Sequence, residues 1–203
     1  MTVSHQKNKG GLVLDTKDKI VQAAMECISE HGFEKTTVSK IVEQAGVAQG
    51  TFYIYFDQKN DILKDIMDEI SRDVEQAIKN RIEEDDNPIE KIHKSFKVAY
   101  NVFHQYKDMT ISMQSKAIIL EMQHYTQQLA RKYTIFLSKW IEEGKKQGLF
   151  EVDDASTAAF FIVSLYETTA YCSLHDEELD SFDDIYNELL KFIDRGLGYK
   201  GSD

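Results

Sequence analysis

The chain has 203 residues, one proline, ten glycines and 42% apolar residues, enough for a sizeable core and too little punctuation for a strand-and-turn architecture. Its formal net charge of −11 argues against a uniformly basic nucleic-acid binder. The imbalance is local, however: residues 1–64 hold eight lysines against eight acids, and the remaining 139 carry 16 bases against 27 acids, the whole of the excess. An anion-binding face therefore belongs to the N-terminal quarter, where it depends on local arrangement.

Residues 1–16 are polar and unpatterned and read as a flexible arm. From Lys17, the positions Ile20, Ala23, Ala24, Cys27, Ile28 and His31 trace a helical stripe that ends at Gly32. Thr37 caps a second helix with Val38, Ile41, Val42 and Ala45 at helical spacing, stopped by Gly46. A third helix runs from Ala48 to about Tyr55, and a long fourth one from about Lys59 to Glu83, with Leu63, Ile66, Met67, Ile70, Val74, Ala77 and Ile78 on one face. The run "DDNPIE" is a start signal, with Asn87 as cap, Pro88 at the first helical position and Glu90 at the third. A helix to about Tyr106 follows, then a short segment near 108–115, and then a long helix over 117–147 closed by Gly148. The stretch 153–175 is apolar nearly all round and is expected to be buried on two sides, in its own subunit and in a partner. Ser181 and Asp184 cap a last helix with Phe182, Ile185, Leu189, Phe192, Ile193 and Leu197 on one face.

The fold class is all-α. A three-helix domain over 17–64 is joined by a long helix to a larger helical domain over 65–203. Cys27 and Cys172 lie within apolar helical patterns and read as reduced thiols. No apolar run is long enough to span a membrane and the N-terminus lacks a secretion-signal core, so a cytoplasmic location and no membrane partner are expected.

Two helices joined at "AGV" and packed on a preceding helix describe a helix-turn-helix, whose second helix fits the major groove of B-DNA. On that second helix Gln49, Gly50, Thr51 and Tyr53 are small or uncharged hydrogen-bonding residues, suited to base edges and phosphates, while Phe52 and Phe56 suit the core. The ordered set Gly32-Phe33, Thr36-Thr37-Val38, Ile41-Val42, Ala45-Gly46-Val47, Gly50-Thr51-Phe52-Tyr53, Tyr55-Phe56, Lys59 and Ile62-Leu63 resembles the N-terminal domain of TetR-family transcriptional regulators. The detailed likeness covers about residues 17–65; beyond it lie only helix count, the "EEGKKQGLF" link and two apolar final helices. The resemblance implies phosphate contacts from Thr37, Tyr53 and Lys59, with Gln49, Gly50 and Thr51 against base edges; the charge balance adds Lys40, turned with Lys35 and Lys59 toward one side. Family members often carry arginines in the arm and first helix. This chain has none before Arg72, leaving minor-groove insertion to Lys7 and Lys9 and removing bidentate arginine–guanine readout.

One such unit touches only a few base pairs, so pairing on a palindromic double-stranded operator is expected, as a homodimer built from the two final helices. Phe161, Leu165, Tyr171, Ile185, Leu189, Phe192 and Ile193 are the interface candidates. Between the long fourth helix and that bundle, the resemblance implies a pocket for a small-molecule effector, hydrophobic or cationic. Its candidate lining is Phe96, Tyr100, Phe103, Met122, Tyr125, Phe136, Trp140 and Tyr166, with Glu121 or Glu167 available to counter a cation. Ligand binding would act through the bridging fourth helix and release DNA. Scattered histidines, the absence of a phosphate loop or nucleophile elbow, and "CSLHDEE" without a partnered base argue against an enzyme, and no cofactor or metal is expected. The rival reading is a helical adaptor that uses the helix-turn-helix to bind protein.

Overall fold

Capping residues set the helix boundaries in the computed structural model, which describes residues 15–113, 115–175, 182–199 and 201, the side chains of 174, 175 and 182–184 excepted. Lys7, Lys9 and Ser181 lie outside the described residues, as does the side chain of Asp184. All regular elements among the described residues are helical. The chain divides into two units, one ending at Ile66 and one beginning at Met67.

In the first unit, α1 (Thr16–His31) starts one residue earlier than the stripe predicts, because the Asp15 carboxylate accepts the amide of Asp18 at 2.9 Å. Helix α2 (Val38–Ala45) is capped by Thr37, whose hydroxyl oxygen accepts the Lys40 amide at 3.3 Å. Gly46 ends it at φ 66°, ψ 34°, and the amides of Gly46 and Val47 return to the carbonyls of Glu43 and Val42. A side chain at this left-handed position would cost about 1–2 kcal/mol, so the tight turn requires glycine. Helix α3 (Gln49–Tyr55) follows three residues later. α1 packs on α2 and α2 on α3. Ile20, Ala24, Ile41 and Phe52 are fully buried, and the Phe52 ring lies 5.2 Å from that of Phe56. Burial of each such large side chain contributes about 1.5–3 kcal/mol.

The long fourth helix begins as a 3-10 turn, Lys59–Asp61, because Gln58 and Asp61 form a reciprocal capping box there; α4 proper is Ile62–Arg81. The division between the units falls within α4.

The second unit holds α5 (Pro88–Gln105), α6 (Lys107–Ser112), α7 (Lys116–Lys146), α8 (Ala155–His175) and α9 (Phe182–Gly196). The Asn87/Glu90 capping box that opens α5 is present on both sides, each bond 3.0 Å long. Just before it, Asp86 is buried and accepts the amide of Glu83 and the ammonium of Lys94; the Lys94 bond chiefly holds its carboxyl below the usual range. α7 packs on α5 and α8, and α8 on α9, around a core that includes Ile92, Phe96, Leu137, Ile141, Ile162, Leu189 and Ile193. In the "EEGKKQGLF" link, Gly144 gives room for Phe150: a β-carbon on Gly144 would stand 2.2 Å from that ring. His93 on α5 lies 2.7 Å from the Asp194 carboxylate of α9, and its carbonyl accepts the Tyr186 hydroxyl at 2.7 Å.

The apolar α8 is buried on one side only. Ala159, Ile162, Val163 and Tyr166 face the core, while Phe160, Phe161 and Tyr171 are more than half exposed. Cys27 is buried and Cys172 half-buried, and both are free thiols; burial, with Glu30 next, pushes the Cys27 thiol up.

Candidate nucleic-acid interface and internal cavity

The α2–turn–α3 segment orients α3 by driving Phe52 into the core, where none of it is exposed. The residues flanking it in α3 then lie toward solvent or at the edge of the core: Gln49 and Gly50 are exposed, Thr51 is half-buried, and Tyr53 is 52% exposed with its ring edge-on to Phe52 at 5.6 Å. Neither Gln49 nor Thr51 makes a side-chain hydrogen bond among the described residues, so both keep their donors and acceptors for an outside partner. A β-carbon on Gly50 would meet nothing within 4 Å, and the position is helical, so the fold does not require glycine here. Thr37 and Lys40 are exposed at the start of α2; the Lys40 ammonium reaches only the Lys35 carbonyl, at 3.3 Å. Ile54 on α3 is 75% exposed.

Lys59 is placed differently. Its ammonium donates to the carbonyls of Phe33 at 2.8 Å and Thr36 at 3.0 Å and sits 4.1 Å from the Phe33 ring centroid. The lysine thus ties the α1–α2 connection to the start of α4. Thr36, buried and quoted in the sequence only as part of the ordered set, has its hydroxyl 2.8 Å from the Gly32 carbonyl and 3.1 Å from that of Cys27, closing the end of α1.

A cavity of about 270 Å³ lies in the second unit between α4, α5, α6, α7 and α8. Phe96, Phe103, Phe136, Trp140 and Tyr166 line it; Tyr100, Met122 and Tyr125 do not. Tyr100 is buried in the neighbouring core, Met122 is half-buried on α7, and the Tyr125 hydroxyl is bonded to Asp68. Sequence reasoning did not single out Leu137 or Val163, which line it from α7 and α8. Phe96 and Tyr166 stack at 4.5 Å, and Phe136 meets Trp140 edge-on at 4.6 Å. Glu167 lies on the lining with its side chain still exposed to solvent, and partial desolvation holds its carboxyl above the usual range; Glu121 is exposed elsewhere on α7, away from the lining.

A row of polar bonds anchors α4 beside this cavity. Asp68 accepts from Tyr125, Asp73 accepts from Tyr106 at 2.7 Å, Ser71 meets the Tyr133 hydroxyl at 3.1 Å, and Glu75 pairs with Lys132. Burial pushes the Tyr133 and Tyr106 phenols up, the second also through Asp73.

Of the interface candidates, Phe161, Tyr171 and Phe192 are exposed, at 63%, 52% and 65%. Leu165 and Ile185 are half-buried. Leu189 and Ile193 are buried in the protomer's own core, whereas Phe192, their neighbour on α9, is not. Phe161, Leu165 and Phe192 line a shallow groove between α8 and α9.

A buried-Phe recognition helix after a glycine turn, in an all-helical chain with an apolar internal cavity, defines a helix-turn-helix regulator with a separate helical domain. Residues 20–66 match the family described as "Bacterial regulatory proteins, tetR family", and residues 85–171 match "Tetracyclin repressor-like, C-terminal domain". Among curated proteins, the uncharacterized HTH-type transcriptional regulator YvdT of Bacillus subtilis is 30% identical over 183 residues, covering 89% of this chain and 94% of that one. A fatty acid metabolism regulator protein of the same organism is 27% identical over 188 residues, covering 90% and 95%. The solved structure of the fatty acid degradation regulator FadR from Bacillus halodurans superposes with a TM-score of 0.70 at 23% identity, covering 94% of this chain and all of that one. The chain belongs to the TetR family of bacterial regulatory proteins and is a DNA-binding transcriptional regulator. No described helix is long and apolar enough to cross a membrane.

Proposed function

We propose that this regulator works in the cytoplasm as a homodimeric repressor that occupies a palindromic operator and leaves it when a small, mainly apolar effector fills the second-unit cavity. The observation that carries the DNA half is the solvent-facing set Gln49, Gly50, Thr51 and Tyr53, fixed in direction by the buried Phe52. Thr37 and Lys40 supply phosphate contacts at the start of α2. Exposed Phe161, Tyr171 and Phe192 supply a two-fold interface across α8 and α9, because apolar side chains exposed this far are costly without a partner surface. The effector half rests on the cavity and its aromatic walls, reached by Val74 and Ile78 of α4. A relative named for fatty acid metabolism directs the ligand search to lipid-like molecules.

The test is fluorescence anisotropy on the gene's own upstream DNA and on scrambled DNA of equal length, across a salt series, with a Gln49→Ala, Tyr53→Phe double variant. Two chains per native duplex, with steep salt dependence and loss in the variant, is the expected result. Equal binding to both DNAs, unchanged by the variant and insensitive to salt, refutes it and favours the adaptor reading.

A further inference from the structure

Charge is distributed in the cavity wall in a way that discriminates between ligand classes. Glu167 is the one charged side chain among the described lining residues; there is no lysine, arginine or histidine to meet an anion. Glu167 has no ion pair or hydrogen bond among the described residues. Other polar groups of the wall are already used inside the protein. The Tyr166 hydroxyl donates to the Phe96 carbonyl at 2.9 Å, Tyr133 meets Ser71, and Ser95 donates to the Ile92 carbonyl at 2.8 Å. Thr110 and Thr126 likewise donate to carbonyls on their own helices.

A carboxylate or phosphate brought into this wall would lose its hydration and face only Glu167, a like charge. An ammonium would meet that carboxylate and two aromatic pairs, Phe96 with Tyr166 and Phe136 with Trp140, whose ring faces attract cations. We propose that the effector is a cationic amphiphile, an apolar chain or ring system bearing an amine or quaternary ammonium, and that Glu167 is the residue that selects it over anionic lipids. This rests on the cavity being the effector site, and it sets the ligand apart from the free fatty acid that a lipid-metabolism relative would suggest. A bound cation would offset, by direct attraction, the partial desolvation that raises the Glu167 carboxyl.

Trp140 is the only tryptophan in the chain and stands in the wall, so its fluorescence reports filling directly. The full chain is titrated with three probes of one chain length, decyltrimethylammonium, 1-decanol and decanoate, below their micelle concentrations. The cation is expected to bind at least about tenfold more tightly than decanoate, a difference on the scale of one charge contact at a partly solvated carboxylate. Glu167→Gln should weaken the cation by about tenfold and leave decanol within about twofold, and Glu167→Lys should turn the preference toward decanoate. Melting curves establish that both variants are folded. Decanoate binding as tightly as the cation, or a ranking unchanged in both variants, overturns the proposal while leaving the cavity as the effector site. No response to any of the three overturns the cavity reading and this proposal together.

Discussion

Lys59 separates two roles that the sequence could not. Its ammonium makes two charge-assisted bonds to carbonyls 23 and 26 residues earlier and lies over the Phe33 ring. Replacing it with methionine keeps the aliphatic stem and leaves the Phe33 and Thr36 carbonyls without this donor. A hydrogen bond to a charged group contributes about 1.5–3 kcal/mol and a partly exposed cation–π contact about 0.5–1, but the three interactions share one ammonium and do not add. The expected loss is therefore about 2 kcal/mol, or about 4–8 °C in the melting temperature of a chain this size. Operator affinity should fall because the start of α2 is less firmly placed, while the slope of log affinity against log salt stays as in the parent. A lysine that touched phosphate in each half of a dimer would instead lower that slope by about 2. Circular-dichroism melting and anisotropy in a salt series, both well below the transition, measure the two quantities. A Lys59→Met variant with an unchanged melting temperature and a slope reduced by about 2 refutes the internal-tie argument.

Gly50→Ala should raise stability by about 0.5 kcal/mol, since the new methyl meets nothing in the protein, yet cost at least about tenfold in operator affinity if α3 lies against base edges; unchanged affinity would remove Gly50 from the contact set. Phe161→Glu with Phe192→Glu should leave the helical signal intact and give a monomer by sedimentation, because both side chains are exposed in the protomer; a dimer of undiminished stability would place the interface elsewhere. For pH, the folded chain holds the Glu167 proton more tightly than the unfolded chain, so its contribution to stability declines as pH rises from the ordinary carboxylate range through the raised value. Glu167→Gln should thus be more stable than the parent at neutral pH, with the difference closing on acidification; a gap that is constant from pH 3 to pH 8 would contradict the desolvation argument.

Helix limits governed by local chemistry were legible. The Asn87-Pro88-Glu90 start and the Gly46 stop depend on residues within one turn of each other, and the structure realises both. What depends on tertiary closure was not. The resemblance marks Lys59 as a phosphate contact, and its tie to Phe33 and Thr36 emerges only when the chain folds back on them. In α9 the sequence groups Leu189, Phe192 and Ile193 as one apolar face, since all three fit the helical period; only packing against the core divides them, with Ile193 at 1% exposure and Phe192 at 65%. The same holds for the cavity implied by the family resemblance: five of its candidate aromatic residues line it, but the helical period could not separate them from Tyr100, Met122 and Tyr125, which do not.

The bonds along α4 bear on how such a helix can move. Apolar contact is non-directional, so a helix face held by it alone tolerates a small displacement better than one held by hydrogen bonds. Here the Tyr106–Asp73 and Tyr133–Ser71 bonds, 2.7 and 3.1 Å long, accompany Tyr125–Asp68 and Lys132–Glu75 across less than three turns of helix. Each is lost once its atoms part beyond about 3.5 Å. A shift of α4 against α7 by roughly an ångström would break several together, so this part of the helix resists small displacements and gives way only when several bonds are lost at once.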